Sequence, residues 1–360
     1  MSKKFLSPIK DIIRDAKRGK MFILIDDKDR ENEGDLIIPG SKCNSKIINF
    51  MAKHGRGLIC LALSKKQVER LNLSLMSQNN KSRMQTAFTV SIEAKKGIST
   101  GISAFDRAKT IKVAINKKTK KNDIVSPGHV FPLVSREGGV LERAGHTEAS
   151  VDISRLSNLN PSAVICEVMN EDGRMARLND LKKFSKKHHL KITSIENLIS
   201  YRLKYEKLIQ KISTKSVKIG NLWNFTQFRF ENKINKNLSF AITKGKLSFS
   251  NIMRVRVIAI DIKNNKINFN KKIIKDTIKL MNKFSKFALI IINNYNEIKG
   301  DNNKILKNNI LRYYGFGAQI IKELKIRNMI LMTRSKKKII GLDGFGIKIS
   351  KQEIIKWKKF

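Results

Sequence analysis

Residues 26–35 read Asp-Asp-Lys-Asp-Arg-Glu-Asn-Glu-Gly-Asp, six carboxylates in ten positions wedged between the apolar runs 22–25 and 36–38. Two short apolar runs around a polar insert read as buried strands joined by a loop, with Pro39-Gly40 turning the chain afterwards. Carboxylates held this close to a core repel one another and resist desolvation, so they need basic side chains or a hard cation as partners. An oxygen-rich group favours Mg or Mn over softer metals. A solvated acidic turn is the alternative that charge alone allows.

At 360 residues the chain has room for two domains, and 41% apolar residues suffice for packed cores. There is no run of 18 apolar residues and no apolar signal core near the start, so a cytoplasmic protein without a membrane segment is expected. Cys43, Cys60 and Cys166 are odd in number and far apart, which suits reduced buried thiols better than a disulfide frame or a zinc knuckle. Of the net charge of +44, +28 falls after residue 200. That excess would suit a nucleic-acid footprint, but the lysines are scattered, without interleaved aromatics on one face. Lys, Asn and Ile recur together throughout, as an A/T-rich coding sequence dictates, and nucleic acid is not the expected partner.

The pattern predicts a helix over 5–19, a helix capped by Ser45 and stopped at Gly55, a buried strand over 58–63 and a further helix from Ser64. Residues 72–85 read as a polar loop and 86–92 as an alternating strand. The polar loop 97–103 leads into a helix carrying Asp106, Arg107 and Lys109. His129 and His146 each follow a glycine, which lets backbone and ring approach a ligand. Gly145 precedes a helical pattern, so Arg143, His146 and Thr147 gather at a helix N-terminus suited to phosphate. A buried strand over 162–169 contains Glu167, which must be either paired or chemically active. A turn is expected over 170–173, and Thr193 to Glu196 reads as a capping box opening a helix to about 209. His188 and His189, among lysines at a helix end, read as surface residues.

Five blocks carry a family resemblance: DDKDRENEGDL (26–36), STGISAFDRAKTI (99–111), SPGHVFPL (126–133), REGGVLERAGHTEASVDISRL (136–156) and AVICEVMNEDGRMAR (163–177). In order and spacing they resemble 3,4-dihydroxy-2-butanone 4-phosphate synthase of riboflavin biosynthesis. The resemblance implies a lyase that converts ribulose 5-phosphate to the four-carbon phosphate and formate. It implies Mg2+ or Mn2+, two ions per site, with no organic cofactor. Carried over by position, Glu31 and His146 are the metal ligands. Arg30, Glu31, Asp35, Arg143, Ala144, Gly145, His146, Thr147 and Glu167 match substrate positions, with Thr100, Ser103 and Asp106 added to the pocket. His129 and Glu167 match the catalytic positions, with Glu33 as a supporting base. A homodimer with sites at its interface is implied as well.

The C-terminal half resembles GTP cyclohydrolase II in AITKG (241–245), MRVRV (253–257), YGFGAQIIKEL (314–324), LMTRS (331–335) and GLDGFG (341–346). That family holds zinc on three cysteines, yet no cysteine follows Cys166, and Ile291 to Glu297 replaces its Arg-Gln-Glu-Gly-Arg-Gly loop. The expected fold is therefore α+β: a three-layer, mixed-sheet synthase domain over 1–203, then a smaller α/β domain over 212–360 without zinc or cyclohydrolase activity. That domain could dock another riboflavin-pathway enzyme. The alternatives are a bifunctional enzyme with cyclohydrolase II activity, or a basic nucleic-acid-binding protein on an enzyme scaffold.

Overall fold

A computed structural model describes residues 5–27, 30–219, 222–293, 307–335 and 345–355. Lys28 and Asp29 of the acidic loop, Asn294 to Glu297, and Gly341 to Gly344 lie outside the described residues. The chain forms two compact units, Met1–Ile199 and Ser200–Phe360.

In the first unit, α1 (Ile9–Lys17) starts after Pro8 and turns Ile9, Ile12 and Ala16 inward, and Gly19 then takes a positive φ that few other residues tolerate. β1 (Phe22–Ile25) and β2 (Gly34–Pro39) bracket the acidic loop. Next come α2 (Ser45–Phe50), β3 (Cys60–Ser64), α3 (Lys65–Leu71), β4 (Ile92–Ala94), α4 (Ala104–Ile115) and β5 (Ile124–Ser135). The unit closes with α5 (His146–Leu156), β6 (Ser162–Glu167), α6 (Leu178–Lys187), β7 (Lys191–Ser194) and the start of α7 (Ile195–Tyr205). The sheet order is β4-β5-β3-β6-β2-β1-β7, mixed because β3–β5 and β1–β7 are parallel while the other neighbours are antiparallel.

Alternation along the strands fills both faces. Ile23, Leu36, Ile38, Leu61, Leu63, Val164 and Cys166 join Ile48 of α2 and Ile111 and Ala114 of α4 in one core. The intervening positions, Asp35 and Glu167 among them, point to the opposite face by the two-residue period of a strand. There α5 lies against β2, β3, β5 and β6 and is covered in turn by α1, so every residue from His146 to Ser154 is buried.

Several local details differ from the sequence reading. Asn44, in extended conformation, caps α2 by accepting from the Ile47 N–H at 3.1 Å, in place of Ser45. Leu58 is 42% exposed because β3 begins only at Cys60. Residues 86–91 make isolated bridges, such as Phe88 with Leu133, and only Ile92–Ala94 form a strand. Ser194, not Thr193, accepts the Asn197 N–H at the start of α7, while Thr193 Oγ1 donates to the Ser7 carbonyl.

The second unit continues with β8 (Ile209–Ile219), β9 (Leu222–Asn232), β10 (Leu238–Lys244), β11 (Ile252–Ile260), α8 (Lys272–Met281), β12 (Phe287–Asn293), α9 (Lys307–Glu323), β13 (Asn328–Thr333) and β14 (Lys348–Ile354). Its sheet runs β14-β13-β11-β12-β10-β9-β8. β12 sends Ala288, Ile290 and Ile292 toward Ala318, Ile320 and Ile321 of α9, and Phe287, Leu289 and Ile291 toward Ile274, Ile278 and Met281 of α8. This is a helix–sheet–helix sandwich with two apolar layers. Among the described residues no helix is long and apolar enough to cross a membrane.

Candidate metal and sugar-phosphate site

Strand pairing assembles the centre. β1 pairs Leu24 with Asp35, and β2 pairs Asp35 with Glu167, so both carboxylates share one face of the sheet. α5 delivers its first residue, His146, onto that face. Its Nε2 lies 3.1 Å from the Leu24 carbonyl, and a carbonyl only accepts, so Nε2 carries the proton. Nδ1 is left as a lone pair, 3.7 Å from Asp35 Oδ1 and 3.9 Å from Glu31 Oε2. Burial holds the imidazole neutral by lowering its pKa to about 4, so these separations are not ion pairs. A neutral ring whose far nitrogen is fixed by a backbone carbonyl is the form in which histidine ligates metal.

The acidic loop folds around Asp26. Its Oδ2 accepts from Arg30 Nη1 at 2.9 Å and from the Glu31 N–H at 3.1 Å, and Oδ1 accepts the Glu33 N–H at 2.9 Å. Arg30 also pairs with the Glu31 carboxylate. Arg177, just ahead of α6, clamps the loop from outside by donating to the carbonyls of Glu31 at 2.8 Å and Asn32 at 2.7 Å, with Glu33 at 3.7 Å.

The charge balance is unfavourable without a cation. Burial, with Glu167, Glu31, Asp26 and Glu33 around it, pushes the Asp35 carboxyl well above the usual range, and its Oδ1 is buried without a hydrogen-bond partner. Burial raises Glu33 too, reinforced by Glu31. Burial likewise raises Glu167, partly offset by backbone bonds that include the Leu58 N–H at 2.9 Å. Ligand atoms of Asp26, Glu31 and His146 lie within 4.8 Å of one another. Two carboxylates and one imidazole beside an orphaned carboxylate oxygen fit a hard divalent cation such as Mg or Mn.

Next to this group, Arg143 Nη1 meets Glu148 Oε2 at 2.6 Å, and Nη2 donates to the Met84 carbonyl at 2.9 Å and to Thr86 Oγ1 at 3.0 Å. An added Cβ at Gly145 would meet Arg143 Nη1 and fall 2.8 Å from Glu148 Oε2, so glycine leaves room for that ion pair at the entry into α5. Thr147 is buried and Ala144 half-buried beside it.

The remaining candidates sit on other elements. Asp106 accepts from Ser99 Oγ at 2.8 Å and from the Gly101 N–H at 3.1 Å, bonds that lower its pKa, while Ser103 Oγ caps α4 through the Asp106 N–H at 3.0 Å. Ser103 and Asp106 thus shape the 99–103 loop, and Thr100 is exposed on it. His129 on β5 meets Glu93 of β4. Residue order singled out neither Asp26, Arg177, Glu93 nor Glu148. The acidic residues of this stretch alternate at 27, 29, 31, 33 and 35, and Asp26 stands outside that pattern; Arg177 and Glu148 each lie in a quoted motif, but their partners are distant or out of register.

Residues 10–201 match the sequence family described as 3,4-dihydroxy-2-butanone 4-phosphate synthase, and 272–354 match GTP cyclohydrolase II. The chain is 42% identical to "Riboflavin biosynthesis protein RibBA" of Aquifex aeolicus, over 97% of this chain and 92% of that one. It is 40% identical to a protein named only as 3,4-dihydroxy-2-butanone 4-phosphate synthase in Photobacterium phosphoreum, over 96% of this chain and 98% of that one. In structure it is similar to RibBX, a two-domain 3,4-dihydroxy-2-butanone 4-phosphate synthase from A. baumannii, at TM-score 0.79 and 34% identity over 98% of this chain and all of that one. A crystal structure of a synthase in complex with two magnesium ions aligns at TM-score 0.53 and 36% identity, over 56% of this chain and 99% of that one.

Proposed function

The chain belongs to the 3,4-dihydroxy-2-butanone 4-phosphate synthase family, and from that premise we propose how its residues divide the reaction and what its second unit does. It is an enzyme of riboflavin biosynthesis, of a family whose substrate is ribulose 5-phosphate. Its reaction yields L-3,4-dihydroxy-2-butanone 4-phosphate and formate.

Glu31 and His146 would hold Mg2+ or Mn2+, two ions per site, with Asp26 in the same ligand group. When bound, the cation polarises the carbonyl and hydroxyl oxygens of the sugar. Thr147 and the free N–H groups at the start of α5 take the phosphate, with Arg143 supplying positive charge beside them. Arg30 and Asp35 orient the sugar hydroxyls, with Ala144 and Gly145 against the substrate and Thr100, Ser103 and Asp106 added to the pocket. Glu167, whose carboxyl burial raises above its ordinary range, and His129 transfer protons through enolisation, dehydration and skeletal rearrangement up to the loss of C4. Glu33 acts as the supporting base. The observation that carries this reading is the convergence of Asp26, Glu31, Asp35, His146 and Glu167 on one face, with a buried oxygen left unpartnered. Formate release from ribulose 5-phosphate, with Mg and with EDTA, tests it.

We further propose that residues 1–203 carry this activity as a cytoplasmic homodimer, and that 212–360 form a domain without cyclohydrolase activity that can dock another pathway enzyme. No cysteine follows Cys166, so a zinc–thiolate site cannot be built there. A relative of the same span is named for the synthase alone. The bifunctional reading is favoured by the match of 272–354 to GTP cyclohydrolase II and by the likeness to a relative named RibBA. Bound zinc with zinc-dependent GTP turnover by the purified protein would establish it; absence of both supports the degenerate domain. Light scattering would show the dimer.

A further inference from the structure

β4 and β5 do not pair residue for residue. The register sets Ile92 beside Val130, then jumps to Glu93 beside Val125 and Ala94 beside Ile124. Residues 126–129 therefore bulge out of the ladder, and a bulge re-aims the side chains it carries. Two bonds pin this bulge to the neighbouring chain. Ser126 Oγ donates to the Ser91 carbonyl at 2.7 Å, and the Gly128 N–H donates to Ser91 Oγ at 3.1 Å. The result is that His129 Nδ1 lies against Glu93 Oε1.

Two glycines leave space for that contact. A Cβ at Gly128 would strike the Ile92 backbone and the Glu93 side chain. One at Gly101 would strike the Glu93 carboxylate and come within 2.8 Å of His129 Nδ1. Gly101 is itself fixed, at φ +86, by its N–H bond to Asp106. The Glu93 side chain is 15% exposed and that of His129 44%, so the carboxylate is the buried anchor and the ring faces outward.

We propose that Glu93 is the positioning residue for His129, holding its ring with the proton on Nδ1 so that Nε2 is the bare nitrogen that takes a proton from the substrate. This rests on the reading of His129 as a proton-transfer group. An ionised carboxylate only accepts, so Nδ1 must donate to it and the lone pair falls on Nε2. The proton moves from the sugar phosphate to Nε2, its former bonding pair stays on the substrate, and the imidazolium charge forms against Glu93. A carboxylate on the far nitrogen of a histidine base serves the same two ends in other enzymes: it fixes the tautomer and stabilises the cation.

The test begins with the unaltered protein carrying 15N-histidine, read by long-range 1H–15N NMR above pH 8, with His129 assigned by its loss in His129→Gln. The expected signature is protonated Nδ1 and bare Nε2; the opposite tautomer overturns the proposal. In Glu93→Gln and Glu93→Ala the tautomer should shift toward Nε2–H, with kcat down about 100-fold or more. KM should stay within about twofold, because an interaction made only in the transition state is lost from kcat and leaves substrate binding unchanged. Glu93→Asp should recover part of kcat. Unchanged kcat in Glu93→Gln, or a loss carried by KM alone, removes Glu93 while leaving His129 in place if His129→Gln is inactive. A fully active His129→Gln would instead overturn the reading of His129, and this proposal with it.

Discussion

His146 reaches back across the sheet to bond the carbonyl of Leu24, 122 positions earlier in the chain, at 3.1 Å through Nε2. The bond turns Nδ1 toward Glu31 and Asp35, and so couples the N-terminus of α5 to the acidic loop. Mg should therefore stabilise the fold as well as serve the reaction. At about 100 times Kd, ligand binding contributes about 2.7 kcal/mol, which for a unit of the size of Met1–Ile199 corresponds to about 5–10 °C in Tm. That rise is expected in the wild type and not in His146→Ala or Glu31→Ala. An equal rise in all three would place the cation elsewhere.

Arg177 holds the acidic loop by its outer carbonyls, not through substrate. Arg177→Ala should lower kcat/KM about tenfold, as expected for losing bonds from a charged donor, and raise the Mg concentration needed for half-maximal rate. Because the side chain is half exposed, Tm should move little. Unaltered kinetics would show that the loop keeps its shape without the clamp.

Glu148 is 1% exposed and pairs with Arg143 while also accepting the Arg136 N–H at 3.2 Å. Removing one member of a buried pair strands the other charge, at a cost of about 3–5 kcal/mol. Glu148→Ala should lose about that much stability in urea unfolding, and with it substrate affinity. A loss below about 1 kcal/mol would mean that Arg143 finds water or another acceptor.

His54 and His188 lie with ring centroids 4.8 Å apart, packed with Phe50 and Phe184. Burial first, then Lys53, Arg56 and Lys187, lowers the pKa of His54; burial, His54 and Lys187 lower that of His188. The unfolded chain protonates each ring near pH 6.5 and the folded chain only at lower pH. Their contribution to stability is thus complete above pH 6.5 and lost as pH falls below it. Replacing both with Phe should flatten the Tm profile below about pH 6.5 relative to the wild type. Parallel profiles would assign the acid sensitivity to other groups.

The chemistry was legible where it is contiguous. Residues 26–35 and 143–147 carry the acidic loop and the entry to α5 in single runs, and Gly145 before His146 marks a helix start. What could not be read is which neighbour faces inward. Asp26 and Asp27 are adjacent and chemically alike, and nothing in their order shows that Asp26 is the one that collects the donors Arg30 Nη1, Glu31 N–H and Glu33 N–H. Arg177 and Leu24 meet their partners through pairings more than 100 positions apart. Glu93 meets His129 only because of a bulge that alternation does not announce. His188 reads as solvated among lysines, yet packs half-buried against Phe184. Asn44 takes the cap expected of Ser45 because either residue type can serve and backbone geometry decides.

The most direct measurement is formate release from ribulose 5-phosphate by the full-length protein, with Mg and with EDTA, beside Glu31→Ala and His146→Ala. Activity that requires Mg and disappears in both variants, with their folds intact, is the predicted result. Formate release that persists in EDTA, or in either variant, would contradict the assignment of the cation to Glu31 and His146.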